Sequence, residues 1–171
     1  MLLAAPRGEG WLVDDAYVPG TDWAVGDGRA LWNSLDRETH GADVRFVCPT
    51  YEEDRAAFAR SAGLTIAESW WLTELPTASG GEAGVQVQLP GAEAITVAAP
   101  PVYDPGGPIL FLPAVSDSPV ALPASLERAP QLGCPAIVVN QVAGDDALAE
   151  ALSGAGFRRH CDYYAGAINS L

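Results

Sequence analysis

The chain runs through one pattern twice, so whatever architecture forms from its first half must be buildable again from its second. Leu3-Ala4-Ala5-Pro6 returns as Val97-Ala98-Ala99-Pro100, and Tyr17-Val18-Pro19 returns as Phe111-Leu112-Pro113, both at an offset of 94. Ser34-Leu35-Asp36-Arg37 returns as Ser125-Leu126-Glu127-Arg128 at an offset of 91. Ala62-Gly63-Leu64 with Trp70-Trp71 returns as Ala155-Gly156-Phe157 with Tyr163-Tyr164, Gly63 and Gly156 lying 93 apart. The offset falls by three between Pro19 and Ser34, an interval that in copy one holds Trp23-Ala24-Val25-Gly26-Asp27-Gly28-Arg29. Copy two has Ser118-Pro119-Val120-Ala121-Leu122-Pro123 in its place, with two prolines and no glycine. A repeat alone names no activity, since structural arrays repeat too. A loop kept in one copy and trimmed in the other is the functional lead.

Each copy reads as strand, strand, helix, strand, helix, strand. In copy one, Leu2–Ala5 and Trp11–Val18 form a hairpin turned by Arg7-Gly8-Glu9-Gly10. A helix then places Leu31, Trp32 and Leu35 on one face, and Val44–Cys48 is a short apolar strand. Thr50 and Glu53 have capping-box spacing ahead of a helix from about Tyr51 to Ala62, which Gly63 closes, and Thr65–Leu72 is the last strand. Copy two gives strands Ile95–Ala99, Pro108–Pro113, Ala136–Asn140 and Phe157–Tyr164, with helices Pro119–Ala129 and Asp145–Ser153. The expected division is residues 1–75, a linker and edge strand over 76–94, and residues 95–171. Strands alternating with helices imply crossovers, hence an α/β fold with a mixed, partly parallel sheet flanked by helices.

Composition excludes several classes of partner. The net charge is −13 over 171 residues, with nine arginines and no lysine. A nucleic-acid surface or an anionic membrane needs clustered basic groups, so neither is an expected partner. Three widely spaced cysteines, Cys48, Cys134 and Cys161, follow no metal-ligand pattern, and His40 and His160 are isolated. The expectations are no metal and a reducing, cytoplasmic setting. Cys48 ends a strand beside a helix N-terminus but has no histidine at a matching position, and it reads as a structural cysteine.

The strand, the glycines Gly26-Asp27-Gly28 and the helix opening at Arg29 make a phosphate-cradle arrangement. Glycine lets backbone N–H groups approach an anion, and a helix N-terminus adds partial positive charge. The bland alternative is a tight turn needing glycine for geometry only. Together with Trp11–Pro19 and the following strand–helix–strand, the segment resembles the coenzyme A motif of the GNAT N-acetyltransferase superfamily. Arg55–Leu64 resembles the family's late helix ending in Gly-Phe, and Ala151–Phe157 ends likewise, so the resemblance is to two tandem ββαβαβ repeats, the second degenerate.

The resemblance implies acetyl-CoA as co-substrate. Tyr17 and Val18 would line the pantetheine, and Val25, Gly26, Asp27, Gly28, Arg29 and Ala30 would hold the phosphates. The chain departs from the family pattern at several positions. Trp23 stands where the family has Arg or Gln, Asp27 puts a negative charge in the loop, and Pro19 removes a backbone donor. The family's general-acid tyrosine is replaced by Ala59 and Leu152.

Asp14 and Asp15, on opposite faces of their strand by simple alternation, are the candidates for taking a proton from an amine, directly or through water, and copy two has Pro108 and Ile109 there. Tyr51, in a helix's first turn, is a substitute proton donor. The matched pairs Trp70-Trp71 and Tyr163-Tyr164 read as packing between sheets or across a homodimer interface. The expected activity is acetyl-CoA-dependent N-acyl transfer to a small or peptidic amine, cationic by the charge argument, at a single site in the first copy. The alternative is a non-catalytic module, a coenzyme A sensor or dimerising scaffold.

Overall fold

The computed structural model describes residues 1–18, 23, 26–75, 79–100 and 105–168. The elements follow in the order β1 (Leu2–Arg7), β2 (Gly10–Ala16), α1 (Asp27–Thr39), β3 (Asp43–Pro49), α2 (Glu53–Ser61), β4 (Thr65–Glu74), β5 (Gln86–Leu89), β6 (Ala92–Val97), β7 (Ile109–Val115), α3 (Ser118–Gln131), β8 (Ala136–Val142), α4 (Asp146–Gly154) and β9 (Arg158–Ala167). From β6 onward the order repeats that of β1 to β4. The chain divides into two compact units: Met1–Glu68 with Cys161–Leu171, and Ser69–His160. These bounds fall inside β4 and β9 and not in the 76–94 segment, because β9 of the second half hydrogen-bonds along β3 of the first.

In the first unit the strand order is β1-β2-β3-β9. β1 and β2 are an antiparallel hairpin around Gly8, whose φ of +62° favours glycine. β2 runs parallel to β3, and β9 returns antiparallel to β3 with Phe46 opposite Tyr164 and Cys48 opposite Asp162. The core is aromatic. Trp32 of α1 and Phe58 of α2 meet at 5.7 Å and both pack on Phe46, with Trp23 adding a third wall. Such rings bury large apolar areas in preferred edge-to-face contacts. Arg60 of α2 donates to the Tyr164 hydroxyl at 3.0 Å, tying the helix to β9.

The second unit has the order β4-β8-β7-β6-β5, with β7 and β8 parallel and β5, β6 and β7 antiparallel. β5 alternates exposed Gln86 and Gln88 with buried Val87 and Leu89, the period-two pattern of an edge strand. Leu110, Leu112, Ile137 and Val139 pack against Leu122 and Ala129 of α3 and Leu148 and Leu152 of α4. Trp70 packs on Phe111 at 5.2 Å and the Trp71 indole donates to Gln141 at 2.8 Å, so both tryptophans have partners inside this unit. Asp145 caps α4 by accepting from the Leu148 N–H.

Two helix starts differ from expectation. α1 begins at Asp27, so Asp27 and Gly28 belong to its first turn and not to a preceding loop. α2 begins at Glu53 with Glu52, and not Thr50, at its N-cap position. Its C-terminus ends as expected, with Gly63 at φ +82° and its N–H on the Arg60 carbonyl.

Candidate active site

The first unit opens where its two parallel strands part. β2 and β3 pair only over Trp11↔Val44, Leu12↔Arg45 and Val13↔Phe46, yet β2 continues to Ala16 and β3 to Pro49. The cause is visible on the other edge of β2. The register against β1 slips between Leu3 and Ala4, which pair with Asp15 and Val13, leaving Asp14 as the extra residue of a β-bulge. A bulge bends its strand and re-aims the following side chains. It also breaks the alternation expected for the two acids. Val13 and Ala16 are buried, and Asp14 and Asp15 between them are both exposed.

Beyond the bulge the backbone of β2 has an edge to offer. The Met1 ammonium donates to the Tyr17 carbonyl at 2.6 Å, and the Tyr17 N–H donates to the Met1 carbonyl at 2.8 Å. Hydrogen-bonded and non-hydrogen-bonded pairs alternate along an antiparallel ladder, so the N–H and C=O of Ala16 and Val18 face away from β1, toward the opening. A groove of about 750 Å³ lies there, lined by Asp15, Ala16, Tyr17, Val18, Trp23 and the Tyr51–Arg55 segment that begins α2.

The groove gathers Asp15, Tyr17, Val18 and Tyr51 from the candidate residues. Tyr51 is exposed, its phenol free to reach whatever lies there. Asp14 does not line it, nor do Gly26, Asp27, Gly28, Arg29 and Ala30, and Val25 lies outside the described residues. Gly28 is buried, and a Cβ there would stand 2.7 Å from the Trp23 Cα and 2.9 Å from its carbonyl carbon. Its lack of a side chain admits Trp23. Asp27 sits in the first turn of α1, where its charge meets the positive end of the helix. Arg29 and Ala30 are exposed.

Four groove residues were not among the candidate site residues: Glu52, Glu53, Asp54 and Arg55. The three acids and Asp15 make the rim strongly negative, a field that collects cations. Arg55 is 2% exposed, with its guanidinium 5.0 Å from the Phe46 ring centroid and 6.0 Å from that of Trp23. Its Nη1 lies 3.5 Å from the Glu52 carboxylate, and its Nε and Nη2 are buried with no hydrogen-bond partner among the described residues. The sequence signal was faint: an arginine two residues into a helix, three after Glu52, reads as a solvated pair.

Cys48 is buried near the end of β3, and Cys161 lies on the neighbouring strand β9. Burial pushes both thiols up to about 12, with nearby Arg55 pulling Cys48 back only in part. Neither can act as a thiolate near neutral pH. Burial raises the Tyr163 phenol as well. Among the described residues no three His, Cys, Asp or Glu side chains cluster to hold a metal, and no helix is long and apolar enough to cross a membrane.

The corresponding opening in the second unit is bridged. Pairing of β7 and β8 ends at Leu112↔Val139, and one step on the Asn140 amide donates to the Pro113 carbonyl at 3.3 Å across the gap. The N–H groups of Ser116 and Asp117, ahead of α3, are taken by the Gly91 carbonyl at 2.8 and 3.1 Å.

No protein-family model and no curated protein sequence matches the chain. Solved structures do. A putative acetyltransferase from Thermoplasma acidophilum superposes with a TM-score of 0.63 at 11% identity, over 97% of this chain and 73% of that one. A putative acetyltransferase from Pyrococcus horikoshii gives 0.54 at 12% identity, over 99% and 69%. A GNAT-family acetyltransferase from Colwellia psychrerythraea gives 0.52 at 11% identity, over 98% and 81%. The fold is that of the GNAT acetyltransferases.

Proposed function

We propose that this protein transfers an acetyl group from acetyl-CoA to an amine at the parting of β2 and β3. The observation that carries the reading is the open backbone edge of Ala16 and Val18 facing a groove of about 750 Å³. An extended chain with alternating amides can add to such an edge as a further strand would, and the pantetheine arm is a chain of that kind. The phosphate end meets weaker support: exposed Arg29 at the first turn of α1, with Asp27 beside it. The residues therefore fit the arm of the coenzyme, and the arm is what the groove would hold.

The chemistry follows from what lines the groove. The acidic rim draws in a protonated amine, and Asp15, or a water held by it, takes a proton so that the nitrogen lone pair is free. The nitrogen attacks the thioester carbonyl; the C–N bond forms, the C–S bond breaks, and the sulfur leaves with the electron pair. Tyr51 or a water gives a proton to sulfur, the nitrogen sheds its second proton to that donor or to solvent as the amide forms, and the nitrogen keeps the acetyl group. The position of the usual late-helix tyrosine is Ala59, fully buried on the inner face of α2, so the proton must come from the groove side. The Asn140 bridge and the Gly91 contacts of the second unit support a single site.

The test is calorimetric titration with acetyl-CoA, followed by detection of free thiol on adding a panel of amines. Binding with turnover supports the enzyme, binding without turnover leaves a coenzyme A sensor, and no binding removes the reading.

A further inference from the structure

The Nε and Nη2 nitrogens of Arg55 form one side of the guanidinium fork, the face that takes both oxygens of a carboxylate. Both are buried and unpartnered while the side chain as a whole is 2% exposed. An unmet buried charge is costly to keep, and Phe46 and Trp23 offer it only ring faces. Arg55 lines the groove, and Glu52, another groove residue with a third of its side chain exposed, already brings a carboxylate to 3.5 Å from Nη1. A groove-side carboxylate thus already stands at the Nη1 end of this guanidinium, next to the unmet Nε/Nη2 face.

The surroundings of that fork carry the opposite sign. Asp15, Glu53 and Asp54 stand around the same groove, so a simple anion is repelled there and a simple cation leaves Arg55 unmet. A molecule bearing an ammonium and a carboxylate satisfies both. We infer that the acceptor is a zwitterionic amino carboxylate, a free amino acid or close analogue, with its carboxylate on the Nε/Nη2 face of Arg55 and an amine among the rim acids. The inference rests on the acyl-transfer reading for calling this molecule the acceptor. The binding site itself does not.

The experiment compares L-lysine with cadaverine, the same chain without its carboxylate, by titration into the full-length protein with and without acetyl-CoA. The wild type should prefer lysine by about tenfold or more, the scale of a hydrogen-bonded charge pair. Arg55→Met should erase that preference while circular dichroism shows the fold intact, and Arg55→Lys should restore part of it. Equal binding of the two ligands, binding of neither, or a preference that persists in Arg55→Met overturns the inference. Failure of acetyl-CoA to bind while the Arg55-dependent preference stands removes the acyltransferase and leaves the amino-carboxylate site. Turnover of cadaverine and not lysine does the reverse.

Discussion

Gly28 lies against the backbone of Trp23, where an added Cβ would be 2.7 Å from the Trp23 Cα. The contact decides what this glycine is for. Helix propensity favours alanine over glycine by about 1 kcal/mol, but the neighbour here is main chain and cannot rotate away. Gly28→Ala should therefore destabilise the protein by about 1–3 kcal/mol, through displacement of Trp23 from Phe46 and Phe58. Urea unfolding checks this, and an unchanged midpoint would show that the helix and Trp23 separate freely.

Arg55 makes the opposite prediction. A buried guanidinium with two unpaired nitrogens costs stability, and methionine offers similar length without charge. Arg55→Met should raise stability by about 1–4 kcal/mol, read as a higher midpoint for thermal unfolding without ligand. A lower midpoint would mean that the ring contacts and the Glu52 pair outweigh the unmet nitrogens.

Cys48 and Cys161 hold their protons in the folded state up to about 12, against an ordinary value of 9.0. The folded form thus binds protons that the unfolded form releases above pH 9. Their contribution to stability is present in full below pH 9 and is lost as the pH rises from there to about 12. The folded protein should also resist iodoacetamide at pH 8 at both positions and react at all three cysteines in urea. Fast labelling of Cys48 in the folded state would contradict the burial.

Asp15→Asn should lower kcat/KM for the amine by about 100-fold, as expected for loss of a proton acceptor, with acetyl-CoA affinity little changed. Amine KM should rise with ionic strength, because the rim acids attract through solvent. Tyr51→Phe separates the two proton donors: a fall in kcat assigns the step to the phenol, and no change assigns it to water.

Much of the architecture was legible because it rests on local rules. The β1–β2 hairpin, the close of α2 at Gly63 and the edge character of β5 follow from glycine placement and apolar period, and the structure has them. What escaped reading is non-local. The bulge at Asp14 arises from a register slip against β1, so alternation placed Asp14 and Asp15 on opposite faces when both are exposed. The packing of Gly28 against Trp23 was hidden because nothing in sequence shows Trp23 folding back on it. Arg55 opened the stretch resembling the late helix but had no site role there, since its burial comes from Phe46 and Trp23, nine and thirty-two positions away. Of the backbone edge, Val18 was anticipated and Ala16 was not, because the Met1 pairing of Tyr17 sets which carbonyls and amides point outward.

The most direct measurement is amide hydrogen exchange on the full chain with and without acetyl-CoA. Exchange at Ala16 and Val18 should slow when the coenzyme is present, with Tyr17, already bonded to Met1, little changed. Unaltered exchange at Ala16 and Val18 under saturating acetyl-CoA would contradict this expectation.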